Sequence, residues 1–306
     1  MIIGAGPAGI TAALMLGRSR RDVLLCDNGS PRNEGASEMR GFISRDGASP
    51  ASLLVAGRSE LERYRGVRVV DSECMEARRD GGQFVITLKS GERYVGRRLL
   101  LASGVADLLP EIPGLREMWG RSIFVCPYCE GWELQEKRLA VFGAPHSGIE
   151  LAQELYQWSR DILVCGYQPD LATAEQRAWL EASGIWFTSS FIRALSGEGG
   201  KLQRIEFVDG SSVLSDALFL SAALSQRSEL SASLGCEITE DRKIAIDAKG
   251  RTSVRGCFAA GDAVTAIHQV IIAAASGANA AVAINDELTQ EDAAALVLAA
   301  GGRFTG

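Results

Sequence analysis

The sequence predicts an α/β protein with two Rossmann-like nucleotide-binding units. Three observations predict it: GAGPAG at 4–9 between an apolar run and an Ala/Leu-rich stretch, a second strand–glycine–helix passage with GAPHSG at 143–148, and short strand-length apolar segments after each. At 306 residues and 46% apolar content, the chain can bury two cores.

The first strand is Met1, Ile2 and Ile3. That is short for a central parallel strand, so a few further residues are expected to precede it. The turn follows: Gly4 bends the chain off the strand, Gly6 lets backbone amides approach a pyrophosphate, and Gly9 lets helix and strand pack closely. A helix to about Gly17 leads to a strand at 23–26, after which Asp27 is set to bind a ribose hydroxyl. Residues 67–101 alternate in short stretches, 67–70, 83–88 and 97–101, separated by polar or glycine turns, and read as strands with hairpin connections. Pro110, Pro113 and Gly114 mark a boundary. The pattern then restarts with a strand at 138–142, the second glycine turn, a helix to about Trp158 and a strand at 161–165. Further strands are expected at 202–208 and 217–220. FAAGD at 258–262 gives a short strand, a glycine and an acid, and a last Ala-rich helix begins near His268 and Gln269.

A net charge of −6 disfavours attraction to nucleic acid or anionic lipid. No apolar run approaches the ~20 residues of a membrane span, and the chain opens on a structural motif in place of a secretory leader, so a cytoplasmic protein is expected. Seven cysteines with one close pair do not form a secreted disulfide framework. Cys26, Cys165 and Cys257 sit among apolar neighbours and read as small buried hydrophobes.

Together, GAGPAG at 4–9, CPYC at 126–129 between the two units and FAAGD at 258–262 resemble the low-molecular-weight thioredoxin reductase family of flavoproteins. The stretch DNGSPRN at 27–33 and the GWE after CPYC are most similar to a divergent branch of dithiol oxidases and pyridine-nucleotide-independent reductases. The resemblance implies two three-layer ββα domains with the second inserted into the first: an FAD domain over 1–112, an inserted NAD(P)-type unit carrying CxxC over 113–245, and the rest of the FAD domain over 246–306. It also implies a homodimer. By position it assigns Gly4, Gly6, Pro7, Ala8 and Gly9 to the FAD pyrophosphate at a helix N-terminus and Asp27 to the adenosine ribose. Asn33 and Gly104 join the cofactor set. Gly261 and Asp262 take the ribityl chain, and Gln269 and Val270 present amides to the flavin pyrimidine.

For the CxxC pair, zinc would need two more ligands, and the chain holds no second pair and only two distant histidines. A purely structural disulfide across two residues closes too small a loop to contribute much. Electron carriage is the better reading, one thiol attacking a disulfide and its neighbour resolving the mixed intermediate. The resemblance implies that Cys126 exchanges with substrate and Cys129 faces the flavin. Glu130, where the family usually carries Asp, is a candidate acid for a leaving thiolate; the alternative is an exposed, solvated carboxylate. Tyr128 and Trp132 are either a substrate-selecting lip or packing aromatics.

The second glycine turn departs from the family. Its middle glycine is Pro145, which lacks the amide that would approach a pyrophosphate, and after Cys165 the chain reads GYQP at 166–169, with neither an arginine cluster nor an acid for a nicotinamide ribose. NADPH dependence is therefore doubtful, and oxygen, ferredoxin or a second FAD at the altered site become the alternatives, with His146 and Tyr167 beside it. The expected activity is a FAD-dependent exchange of electrons with a dithiol or disulfide substrate, a thioredoxin-like protein or a small dithiol. The alternatives are NADPH-dependent thioredoxin reduction and a flavin-containing redox sensor.

Overall fold

The computed structural model describes residues 1–299; residues 300–306 of the predicted 246–306 segment lie outside the described set. The described residues form two compact units, one of residues 1–32, 51–106 and 225–299, the other of residues 33–50 and 107–224.

In the first unit a parallel sheet runs in the order Cys257–Ala259, Leu99–Leu101, Ile2–Ile3, Val23–Cys26, Val67–Val70. Its side chains alternate between two cores, as a pleat of period two requires. Ile2, Leu25, Leu100 and Phe258 face the helices Pro7–Arg18 and Val270–Ala299, whereas Ile3, Cys26, Leu99 and Leu101 face an antiparallel sheet carrying Phe84, Ile86 and Leu88. Each fully buried Phe or Leu contributes about 1.5–3 kcal/mol. Helix, parallel sheet and antiparallel sheet make three layers. The two helices approach closely enough that a Cβ on Gly277 would lie 2.1 Å from the Ala8 carbonyl oxygen.

The second unit repeats the plan. Its parallel sheet runs Trp186–Thr188, Ile162–Cys165, Leu139–Phe142, Ala217–Leu220, Ile123–Phe124. Val141, Val164 and Phe219 pack on the helices Pro145–Leu155 and Ala174–Ser183, and Ala140, Leu218 and Leu220 pack on the antiparallel strands Ile192–Glu198 and Lys201–Phe207.

Three local expectations need correction. The runs 67–70 and 97–101 form no hairpin: both feed the parallel sheet, Val67–Val70 as its edge strand with one half-covered face and Leu99–Leu101 between Ile2–Ile3 and Cys257–Ala259. The hairpin sheet uses Cys74–Asp80, Gln83–Leu88 and Arg93–Gly96. The first of these went unrecognised because only Cys74 and Ala77 of CMEARRD are buried. The second-unit helix stops at Leu155 rather than near Trp158, where the chain turns and the Ser159 hydroxyl donates to the Lys137 carbonyl at 2.6 Å.

Candidate active site

In the first unit, the glycine turn shows why each glycine is there. Gly4 has φ +100°, and a Cβ on it would meet the Ala102 carbonyl oxygen at 2.3 Å; on Gly9 it would meet the Gly4 oxygen at 1.8 Å. Gly6 is different: a Cβ there would touch nothing within 4 Å. Gly6 is also the N-cap of the helix Pro7–Arg18, with no side chain capping it, and Pro7 at the first helical position gives up no needed donor. The turn thus offers open space at a helix N-terminus, which fits an anionic pyrophosphate. Beside it the Ala5 N–H donates to Asp27 Oδ1 at 3.1 Å, and Asp27 Oδ2 pairs with Arg58. Arg58 reaches Asp71 as well, at 2.6 Å.

Gly261, at φ +78°, turns against Ala8, whose Cβ would lie 3.1 Å from an added Cβ. Its N–H donates to Ser276 Oγ at 2.8 Å, and the following Asp262 pairs with Arg32 at 3.1 Å. The Gln269 carbonyl accepts from the Ala273 N–H, so Gln269 and Val270 begin the last helix. Gly104 has φ +71° and open space on its Cβ side. Asn33 falls in the segment 33–50, which clusters with the second unit, and its carbonyl accepts from the Ala36 N–H at 3.1 Å.

In the second unit Cys126 and Cys129 are joined as a disulfide, their Cα atoms 5.3 Å apart. Cys126 is the N-cap of the single-turn helix Pro127–Glu130, and the Cys129 N–H donates to its carbonyl. Gly131 is required next, because a Cβ there would strike the Pro127 oxygen and the Trp158 ring, both at 2.6 Å. Tyr128 packs edge-on against Trp158 with centroids 5.7 Å apart, yet remains 68% exposed; Trp132 is 70% exposed. Glu130 is half-buried rather than solvated. Burial, with the Glu133 carboxylate adding to it and Arg40 opposing, pushes its carboxyl up to about 7. Arg40 lies 2.5 Å from Glu38 and 3.2 Å from Glu133. Glu38 and Arg40 were not legible as site residues, since nothing in their local sequence points to a partner some ninety positions away.

The remaining cysteines are buried and free. Burial pushes the Cys26 thiol up to about 11 and those of Cys74 and Cys165 to about 12, which makes them poor nucleophiles. Cys236 is held low by a hydrogen bond with Cys257, which is raised in turn. Among the described residues no group of three or more His, Cys, Asp or Glu side chains is placed to hold a metal, and no helix is long and apolar enough to cross a membrane.

The second glycine turn is arranged otherwise. Its helix begins one position earlier, with Ala144 as N-cap and Pro145 already at the first helical position; the side chain of Pro145 lies outside the described set. His146 Nδ1 donates to Gln176 Oε1 at 3.1 Å, and the buried Gln176 is itself half of a capping box with Thr173. Tyr167 is 7% exposed and packs on Phe187 at 4.9 Å, so it is a core residue. A cleft of about 320 Å³ lies at the mouth, lined by residues 108–110, 142–144 and 220–223, with no basic side chain among them.

Two dinucleotide-type domains and a CxxC disulfide beside a perturbed carboxyl define a thioredoxin reductase-like flavin disulfide oxidoreductase. Residues 1–277 match the family model for pyridine nucleotide-disulphide oxidoreductases, and the chain belongs to that family, which implies FAD as cofactor. It is 30% identical over 332 residues to a probable thioredoxin reductase of Arthroderma benhamiae, covering 96% of this chain and 81% of the relative. Among solved structures it resembles HlmI, at 36% identity and a TM-score of 0.93 over 99% of this chain and 96% of that one. It also resembles a putative thioredoxin reductase of Bacillus anthracis, at 34% identity and a TM-score of 0.90 over 95% and 98%.

Proposed function

We propose that the protein passes two electrons between a dithiol or disulfide substrate, the Cys126–Cys129 pair and FAD, without NAD(P)H. The observation that carries this reading is the disulfide at the head of a one-turn helix, with the half-buried Glu130 next in sequence. A substrate thiolate attacks Cys126 Sγ, the Cys126–Cys129 bond breaks, and Cys129 leaves as a thiolate that takes a proton from Glu130. A second substrate thiolate then attacks the mixed disulfide at the substrate sulfur, releasing Cys126 and oxidised substrate. The pair has gained two electrons, and FAD when bound supplies the acceptor, or the donor in reverse. Gly4, Gly6, Pro7, Ala8 and Gly9 would hold its pyrophosphate, Asp27 the ribose, Asp262 with Gly261 the ribityl chain, and Gln269 and Val270 the pyrimidine edge; Asn33 and Gly104 complete the set.

NADPH independence is supported by the second turn. The position of the middle glycine is helical and has no amide to offer, His146 is spent on Gln176, and the cleft lacks a cation for phosphates. Oxygen, ferredoxin or a second FAD in that cleft would then exchange electrons with the enzyme. The Arthroderma benhamiae and Bacillus anthracis relatives carry the names of a probable and a putative thioredoxin reductase, which supports a thioredoxin-like protein as substrate, with a small dithiol as the alternative. By family resemblance the enzyme would act as a cytoplasmic homodimer.

Anaerobic mixing of the purified yellow holoenzyme with NADPH, and separately with dithiothreitol, tests the reading. Dithiothreitol should bleach the flavin and NADPH should not. Rapid bleaching by NADPH would instead make the protein an NADPH-dependent reductase, and one oxidation cycle without turnover under any donor or acceptor would make it a sensor.

A further inference from the structure

The segment 33–50 folds back on itself. The Met39 N–H donates to the Ala48 carbonyl at 2.8 Å, the Gly47 N–H to the Met39 carbonyl at 2.9 Å, and the Gly41 N–H to Asp46 Oδ1 at 2.8 Å. Met39 is 5% exposed and anchors the loop. Gly41 and Gly47 have φ of +69° and +80°, and at Gly47 a Cβ would stand 3.4 Å from the Arg40 guanidinium. Gly47 thus leaves room for the Arg40 guanidinium where a larger residue would crowd it. Its guanidinium spans Glu38 Oε2 at 2.5 Å and Glu133 Oε1 at 3.2 Å, with the side chain only 21% exposed.

We propose that Arg40, clamped between Glu38 and Glu133, is a positioning residue that decides when Glu130 carries the proton it passes to the leaving thiolate. The proposal rests on reading Glu130 as that acid. Three charged groups from the two elements packed here bear on Glu130: Glu133 on the loop after its helix, and Glu38 and Arg40 on the segment 33–50. The two glutamates make its ionisation harder, and among the described residues Arg40 makes it easier. Arg40 also neutralises both glutamates directly. Without it Glu130 would face two uncompensated carboxylates and hold its proton to higher pH, yielding it less readily to the leaving thiolate.

The experiment is the anaerobic reduction of the holoenzyme by dithiothreitol, followed by flavin bleaching from about pH 5.5 to 9.5, with each rate divided by the thiolate fraction of dithiothreitol at that pH so that the probe's own ionisation cancels. Glu130→Gln should remove the descent that follows loss of the Glu130 proton. Arg40→Met should move that descent up by about one pH unit, Arg40→Lys should leave it near its wild-type position, and Glu133→Gln should move it down. If Glu130→Gln keeps the wild-type profile, the acid is wrongly assigned. If Glu130→Gln removes the descent but neither Arg40→Met nor Glu133→Gln displaces it, the role of Arg40 is wrong while that of Glu130 stands. Should Arg40→Met lose flavin or fold poorly, Glu133→Gln decides: a downward displacement supports the electrostatic clamp, and an unchanged profile overturns it.

Discussion

The two glycine turns start from nearly the same six residues and end differently. In GAGPAG the middle glycine caps the helix and looks onto open space; in GAPHSG the middle position is already helical, and the next residue is tied to Gln176. The outer glycines differ too. A Cβ on Gly9 would lie 1.8 Å from a backbone oxygen, while on Gly148 the nearest atom would be 3.6 Å away, an ordinary contact. The first turn is closed at Gly4 and Gly9 and open at Gly6, whereas the second is closed at Gly143 and open at Gly148. On the function proposed above, the second unit acts through Cys126, Cys129 and Glu130 and not through its glycines.

The largest test of that division is Cys126→Ser, which should lower dithiothreitol-driven flavin bleaching by about 10³-fold or more. Retained bleaching would remove the thiol pair from the reaction. Next is Gly9→Ala. Its Cβ has no room, so the variant should lose bound FAD or about 3 kcal/mol of stability, read from flavin content and urea denaturation. A fully loaded, stable Gly9→Ala would show that the first turn is no tighter than the second.

A smaller effect belongs to Glu130. Its carboxyl is raised from 4.5 to about 7, chiefly by burial, so between those values the folded chain binds more protons than the unfolded one. Stability therefore falls as pH rises through that window and stays lower above it. Allowing for solvent screening of a partly exposed group, the cost is about 1–2 kcal/mol. Glu130→Gln should gain that much over wild type at pH 8 and not at pH 4; an equal difference at both would mean the carboxyl is unperturbed. The smallest change is Gly148→Ala. Inside a helix with room for a methyl group, it should raise stability by about 0.5–1 kcal/mol, and a loss comparable to that of Gly9→Ala would erase the contrast between the turns.

Much of this was legible in the chain because the signals are local. A turn at Gly4 needs a positive φ, a disulfide of this kind needs two cysteines separated by two residues, and parallel strands buried on both faces read as apolar runs such as LLL at 99–101. Where the signal was weak the reading failed. The strand Cys74–Asp80 buries only two side chains, and the run 67–70 resembles a hairpin strand because one face of an edge strand is half covered.

By itself the sequence determined the two nucleotide-type turns, the redox pair and the broken middle position of the second turn, because each depends on residues within a few positions of one another. Only the tertiary structure decided that Glu130 is half-buried, that Arg40 and Glu38 arrive beside it from a distant loop, and that His146 is held by Gln176. Burial and charge act through space, and the chain brings those groups together only after its sheets and helices have packed.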